Sequence, residues 1–322
     1  MSGQITHPSE TPHDRFLVTG SSGLVGTALT SLLSSRGQSV SRLVRGRSEL
    51  SPGPGGTEPS WDPAAGLLDP ESVSGYDVVV HLAGANVAAG RWTAERKRKI
   101  RDSRVDGTGL LARALASAPS PPRVLVCASA IGYYGDRGDM LLDEGTAAGS
   151  GFLADVGRAW EEAARPAAEA GIRVVNLRIG IVLTPAGGAL QRMLVPFRMG
   201  MGGPLGDGRQ YWSWITLRDL VGSILHAAAS EELVGPVNAV APAAVRNSEF
   251  SKVLGRVLRR PAFVRVPAFA IRLLLGEMGQ ELLLASARVQ PARLVASGYE
   301  YRDPDLEEAL RHLLGDGQRV RS

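Results

Sequence analysis

The chain has 322 residues, 44% of them hydrophobic, a formal net charge of +4 and one cysteine, Cys127. That length and hydrophobic share suit two modest domains or one large one with a core that needs no staples. A lone cysteine excludes an internal disulfide framework and a cysteine-rich zinc site and fits a reducing cytoplasm; no apolar stretch approaches the ~20 residues that span a bilayer, so no membrane partner is expected.

Residues 1–14 are polar, carry Pro8 and Pro12 and lack the apolar run of a signal peptide, so a loose tail is expected there. The apolar run Phe16-Leu17-Val18 then meets Thr19-Gly20-Ser21-Ser22-Gly23-Leu24-Val25-Gly26, and helical spacing (Leu24, Ala28, Leu29, Leu32, Leu33) begins at once. Strand, tight turn and helix N-terminus together form the geometry that binds a dinucleotide pyrophosphate. The orphan N–H groups of the first helical turn supply donors and partial positive charge. Gly20 permits the turn, Gly23 lets the backbone approach the phosphates, and Gly26 lets the helix pack closely. Ser21, Leu24 and Val25 belong to the same cradle. The competing reading is a tight turn in an ordinary α/β protein.

A second strand, 38–44, ends at Leu43-Val44-Arg45-Gly46-Arg47, with no Asp or Glu before Glu49. Roughly 20 residues past the glycines, a carboxylate would hold the ribose 2′-OH of NAD, whereas an arginine suits the 2′-phosphate of NADP. A guanidinium pairs with phosphate bidentately and a carboxylate repels it. Val44 and Arg45 therefore point to NADP(H); the competing reading makes Arg45 and Arg47 solvated loop charges. A Pro/Gly-rich loop follows at 51–60.

Further on, 77–82 reads as a short buried strand followed by Ala83-Gly84, 93–118 as a long helix and 123–128 as another buried strand. Residues 151–170 read as a helix and 172–177 as a strand. Strands alternating with helices imply a parallel sheet with right-handed crossovers, and continuously apolar strands imply helices on both faces. From about 183 the texture changes: glycines and prolines crowd 185–208, and helices are expected at 217–229, 247–259, 267–275, 277–287 and 305–314. The expected division is a nucleotide-binding domain at 15–182 and a mostly helical substrate-side region at 183–322, interleaved with the sheet.

Residues 91–104 form a basic run. At helical spacing Lys97, Ile100, Arg101 and Arg104 share one face, so charge for cofactor phosphates plus a solvated face explains the run more cheaply than a nucleic-acid stripe. The five histidines show no metal spacing, and no metal site is expected. His81 ends a buried strand and reads as structural. Asp143-Glu144 reads as loop charge without a partner. Leu273-Leu274-Leu275 and Leu282-Leu283-Leu284 are expected to pack the C-terminal helices, with a partner surface as the other reading.

The chain resembles the extended short-chain dehydrogenase/reductase superfamily of sugar-nucleotide epimerases and dehydratases. Three landmarks carry the resemblance: Thr-Gly-x-x-Gly-x-x-Gly at 19–26, His81-Leu82-Ala83-Gly84, and Gly206-Asp207-Gly208-Arg209-Gln210 with Trp214-Ile215 and Arg218-Asp219-Leu220. It is more closely similar to the epimerase-like subfamily often labelled cell-division inhibitor, through Arg91-Trp92-Thr93, Arg101-Asp102-Ser103-Arg104-Val105, Ser129-Ala130-Ile131-Gly132-Tyr133-Tyr134-Gly135, Trp160-Glu161 and the run 177–183. Residues 196–204 and 235–238 and the tail with Val266-Pro267 and Leu275-Gly276-Glu277 extend the likeness over nearly all of 14–315.

The resemblance implies an α/β fold, a Rossmann-type doubly wound parallel sheet with a smaller, mainly helical C-terminal substrate lobe. It implies NADP(H) held by Leu82, Ala83 and Gly84 besides the glycine cradle, with Lys99, Arg104 and Val182 completing the pocket. Arg198, Asp207, Arg209, Gln210 and Trp214 fall on the substrate side. For Asp207, Arg209 and Gln210, turn chemistry in a glycine-rich loop is the competing role.

The parent superfamily uses a tyrosine as acid/base with a lysine four residues later and a nearby Ser or Thr. Free tyrosine has a pKa near ~10, and a neighbouring ammonium brings it toward working pH. The helix that should carry this pair, 151–161, has neither tyrosine nor lysine. If Tyr134 aligns with the tyrosine of the family's Val-Tyr-Gly segment, the Ser/Thr position falls on Ala130, with Ser129 one residue away. Two readings remain. In one, the catalytic group is relocated to Tyr133, Tyr134 or Ser129. In the other, no acid/base is used, and the chain transfers hydride without one or is a non-catalytic NADP(H)-binding regulator linked to division. The small-molecule substrate and the oligomeric state are not readable from the sequence.

Overall fold

The computed structural model describes residues 14–46 and 58–315. The tail expected at 1–14 (apart from Asp14), most of the loop expected at 51–60, and Arg47 lie outside the described residues.

The strands are β1 (Arg15–Thr19), β2 (Ser39–Arg45), β3 (Ser60–Trp61), β4 (Val78–His81), β5 (Val124–Ala130), β6 (Leu141–Leu142), β7 (Arg173–Ile179), β8 (Ile181–Leu183), β9 (Tyr211–Trp212), β10 (Trp214–Thr216), β11 (Gly235–Ala239), β12 (Val245–Arg246) and β13 (Arg288–Val289). Seven form one sheet in the order β11-β7-β5-β4-β1-β2-β3. Every neighbouring pair in it is parallel. The strand order reverses between β1 and β4, and α/β sheets bind ligands at the carboxyl ends of the strands beside such a switch.

Side chains alternate between the two sheet faces, and both faces are covered. Phe16, Val18, Val78, Val80, Val124 and Val126 pack with Leu29 and Leu33 of α1 (Leu24–Ser35) and with Leu220 and Ile224 of a later helix, 217–229. Leu17, Val79 and Leu125 face the other way, against Leu111 and Leu115 of α2 (Ala94–Ala116). Thr93 starts α2 by accepting the Arg96 N–H on its hydroxyl.

The helix expected at 151–170 is broken into α3 (Phe152–Glu162) and α4 (Arg165–Glu169). Pro166 has no N–H to continue the ladder and its ring clashes with the carbonyl four residues back, so it sits in the first turn of a new helix. Beyond these come α5 (Gly188–Arg198), α6 (Leu217–Ala229), α7 (Asn247–Leu258) and α8 (Ala268–Leu275). Trp212, Trp214, Phe250, Leu254, Leu190 and Phe197 form a separate core there.

The helix expected at 277–287 is also revised. One helical turn at Glu277–Gly279 widens into a π turn at Gln280–Leu284, and the chain then pairs with β6 as β13. The Ser286 hydroxyl donates to the Gly138 carbonyl and its N–H to Asp136, tertiary bonds that outweigh local helix propensity. Leu273 and Leu274 do not pack the C-terminal helices as expected; both are exposed. Among the described residues no helix is long and apolar enough to cross a membrane.

Candidate functional site

The turn between β1 and α1 sits against the end of β4. Gly20 has φ +66°, and a Cβ there would lie 2.7 Å from the Leu82 carbonyl carbon and 2.8 Å from the Ala83 nitrogen. Gly26 is pressed onto the same turn: a Cβ would lie 2.7 Å from Ser21 Cα and closer still to the Gly20 carbonyl oxygen. The Gly23 N–H donates to that oxygen at 3.0 Å. Gly23 caps α1 without a side chain, and no acidic residue occupies the first turn, so the helix opens on uncommitted N–H donors. Leu24 packs on Gly187, in the loop that follows Val182 and the rest of β8. Ser21 and Val25 are half-buried beside it.

Behind the cradle runs a hydrogen-bonded chain of side chains. The Thr19 hydroxyl oxygen accepts the Leu82 and Ala83 N–H groups at 3.1 and 3.2 Å and lies 2.7 Å from His81 Nδ1. Its single proton therefore goes to Nδ1, which leaves the ring proton on Nε2, 3.0 Å from the Thr108 hydroxyl. Trp160 Nε1 donates to the same Thr108 oxygen at 2.9 Å. His81 thus acts structurally, tying β1, β4, α2 and α3 together. Burial lowers its pKa from 6.5 to about 4. The unfolded chain takes up a proton across that window that the folded chain refuses, so stability present above the unfolded value is lost as pH falls, by up to roughly 3 kcal/mol. Thermal melts across the window should show this decline, and His81→Gln should flatten it; an undiminished slope in the variant would locate the proton elsewhere.

Arg104 is half-buried with its guanidinium 4.8 Å from the Trp160 ring and Nη1 donating to the Ala85 and Ile100 carbonyls at 3.0 Å each. A Cβ on Gly84 would lie 3.3 Å from it. Burial, then the charge of Arg96, lowers the Arg104 pKa to about 10. Arg96 itself donates to the Asn86 carbonyl. Among the described residues neither arginine has a carboxylate within 4.0 Å, so two like charges flank the 84–86 turn and favour an anion there. Val44 is half-buried, and Arg45 is exposed at the end of β2. Lys99 is exposed on α2 and is not drawn into the cradle. Lys97 pairs with Glu277 at 2.6 Å instead.

The hydroxyls expected to do chemistry are held elsewhere. Sheet register sets Ser129 beside Arg178 and Arg178 beside Asn238. Glu161 of α3 lies over this row: its Oε1 accepts the Ser129 hydroxyl at 2.7 Å and Arg178 Nε at 2.8 Å, and its Oε2 accepts Arg178 Nη2 at 2.8 Å. Arg178 Nη1 donates to the Tyr134 hydroxyl at 2.9 Å, and that hydroxyl lies 2.7 Å from Asn238 Oδ1. Burial opposes the charge on Arg178, yet its bonds to Glu161 outweigh this and hold its pKa above the ordinary value.

Tyr134 is fully buried, and burial pushes its phenol up to about 12. Ser129 and Tyr134 are thus members of a buried hydrogen-bonded network at the end of β5. Tyr133 is half-buried, its ring 3.6 Å from the Arg178 guanidinium. Glu144, read as loop charge, is buried too and accepts the Asn238 and Arg293 N–H groups. Sequence reasoning missed Arg178 and Glu161 as a pair. The available signal was a second arginine, Arg178, near the end of a strand, 173–179, whose remaining interior is mostly Val and Leu.

The start of α3, where the parent superfamily keeps its tyrosine, is closed from the far end of the chain. Glu281 accepts the Phe152 and Leu153 N–H groups with its two oxygens at 2.8 Å each. Gly151 makes room, with φ +107° and a hypothetical Cβ only 3.0 Å from Glu281 Oε1. Gly157, one turn on, packs its backbone against Tyr133.

On the substrate side, Gln210 and Trp214 are buried. Gln210 Nε2 donates to the Leu205 and Leu283 carbonyls, and Trp214 Nε1 to the Ala243 carbonyl. Both brace the loops around them. Asp207 makes a tight turn by accepting the Arg209 N–H, which is turn chemistry. Arg198 and Arg209 are exposed. Among the described residues no cluster of His, Cys, Asp or Glu has the form of a metal site.

Residues 16–239 match the model of the NAD dependent epimerase/dehydratase family, and residues 266–313 match a domain of unknown function, DUF1731. Epimerase family protein Mb2239 of Mycobacterium bovis is 43% identical over 293 residues, covering 91% of this chain and 95% of that protein. Human epimerase family protein SDR39U1 is 37% identical over 303 residues, covering 93% and 99%. The crystal structure of human SDR39U1 (isoform 2) with NADPH superposes with a TM-score of 0.83 at 36% identity, covering 94% of this chain and 99% of that one. With the glycine cradle, the parallel sheet and these relatives in agreement, the chain belongs to the NAD dependent epimerase/dehydratase family.

Proposed function

We propose that the protein binds NADP(H) and moves hydride to or from a small polar substrate with a carbonyl or hydroxyl group, as an epimerase-like oxidoreductase without the Tyr-x-x-x-Lys pair. A reducing cytoplasm suits its single buried thiol. The observation that carries the proposal is the uncapped, acid-free N-terminus of α1 seated on Leu82 and Ala83, a cradle that any Cβ at Gly20 or Gly26 would fill. The NADPH bound by the human relative supports the same coenzyme here.

The residues fit that group. The first turn of α1 would hold the diphosphate, Arg45 would meet the 2′-phosphate, and Arg96 with Arg104 would add positive charge at the 84–86 turn. When bound, the reduced nicotinamide supplies hydride to an electrophilic carbon of the substrate. The network of Ser129, Glu161, Arg178 and Tyr134 holds the end of β5 rigid and engages both of its own hydroxyls, which leaves the half-buried Tyr133 as the candidate hydroxyl outside those bonds.

Calorimetry tests the coenzyme assignment. Arg45→Ala should weaken NADPH about 10- to 100-fold, the worth of one charged hydrogen-bonded contact, and leave NADH nearly unchanged. Equal weakening would remove the 2′-phosphate assignment, and no heat with either coenzyme would remove the proposal. Oxidation of NADPH against a panel of carbonyl compounds tests the reaction. Tight binding with no oxidation would favour a non-catalytic coenzyme-binding regulator, a reading that the sealed Ser129 and Tyr134 hydroxyls also support.

A further inference from the structure

One surface outside the coenzyme cleft is both strongly apolar and strongly basic. The end of α5 and the segment leading into α8 lie together: the Val264 N–H donates to the Gly202 carbonyl, the Val266 N–H to Pro204, and Arg260 Nε to the Arg198 carbonyl. Along them Met199 is 66% exposed, Met201 52%, Phe263 77%, Phe269 70%, Leu273 72% and Leu274 67%. Exposed apolar side chains in such number mark an interaction site.

Within these two segments the charge has one sign, with Glu249, Glu277 and Asp207 at their borders and Glu277 paired to Lys97. From Phe250 to Gly276 the sequence holds six basic residues and no Asp or Glu, and from Gln191 to Gly206 it holds two arginines and no Asp or Glu. Arg256 pairs with Glu307. Among the described residues Arg198, Arg259, Arg260, Arg265 and Arg272 have no carboxylate within 4.0 Å.

A second copy docked face to face would oppose these arginines to one another, which is repulsive. A protein partner would need its own acidic face to match these arginines, whereas an anionic bilayer offers phosphates over its whole surface. Here arginines alternate with apolar residues through Arg259-Arg260-Pro261-Ala262-Phe263-Val264-Arg265 and again at Phe269, Arg272 and Leu273. Exposed apolar side chains beside unpaired arginines suit a lipid interface, where the apolar groups enter the headgroup–acyl boundary and the basic ones reach phosphates. We propose that this surface, from Met199 to Leu274, seats the protein peripherally on an anionic phospholipid bilayer without spanning it.

The test is co-sedimentation of the full chain, without coenzyme, with phosphatidylcholine vesicles and with vesicles that also contain phosphatidylglycerol. Binding should require the anionic lipid and fall as salt is raised. Arg198→Ala with Arg265→Ala should weaken it about tenfold or more, and Phe269→Ser with Leu273→Ser should weaken it even at low salt. Unchanged melting temperatures in both double variants would show that the fold is intact, as expected for exposed side chains. Equal binding to both vesicle types, binding to neither, or undiminished binding by the variants would overturn the proposal. So would a dimer in solution that the Phe269→Ser, Leu273→Ser variant abolishes, which would make the occupant a second copy.

Discussion

Gly26→Ala should weaken NADPH by roughly a hundredfold in calorimetry while leaving the chain folded. Gly26 is buried in the first turn of α1 with ordinary helical geometry, so backbone strain is not the issue. The obstacle is steric. A methyl there would press on the Gly20 carbonyl and on Ser21 Cα, both main-chain atoms with no rotamer to escape into. Relief requires the turn to open, which breaks the bond from the Gly23 N–H to the Gly20 oxygen and turns the N–H donors of α1 away from a common point. Overpacking of this kind costs typically ~1–3 kcal/mol, and here that cost falls on the binding-competent form. An unaltered Kd would mean that the diphosphate does not rest on this turn.

Glu161→Ala should be the most damaging single change to stability. Arg178 has its side chain 3% exposed and finds its counter-charge in Glu161. Removing the carboxylate leaves a buried guanidinium and the Ser129 hydroxyl without their acceptor, a loss of ~3–5 kcal/mol. For a chain of this length that lowers the melting temperature on the order of 10 °C. The double variant Glu161→Ala, Arg178→Met should melt higher than Glu161→Ala alone, because the orphaned charge goes with its partner. A melting temperature equal to that of the parent in Glu161→Ala would show that the ion pair is not what holds the ends of β5 and β7 together.

The features legible in the sequence were those written in local spacing. Phe16-Leu17-Val18 before the glycines located β1 and α1, and the apolar pattern of 217–229 matched α6 at both ends. The glycine cradle needed only residues 19–26 and the end of one further strand. The surroundings of the candidate acid/base groups were not legible, for the opposite reason. Whether Tyr134 faces a cleft or the interior depends on Asn238, which is 104 positions away. The partners of Ser129 were hidden because its neighbour Arg178 arrives through sheet register, and its acceptor Glu161 comes from α3, within the crossover between β5 and β7. The helix expected at 277–287 failed because Ser286 and Val289 take their bonds from residues 136–142 and Ser213 rather than from the preceding turn. Leu273 and Leu274 carry the composition of a core and lie on the outside; nothing in their own spacing distinguishes the two.

The fork that Glu281 makes with the Phe152 and Leu153 amides also bears on how this protein can be recombined. The acceptor and the donors are nearly 130 positions apart, yet the one caps the first turn of the other's helix. A chimera that imports the last fifty residues from a relative lacking an acid at this place would inherit a frayed helix in its other half. The two segments are thus exchangeable between homologues only as a set, and a crossover point drawn between them should yield poorly folded offspring even where both parents are sound.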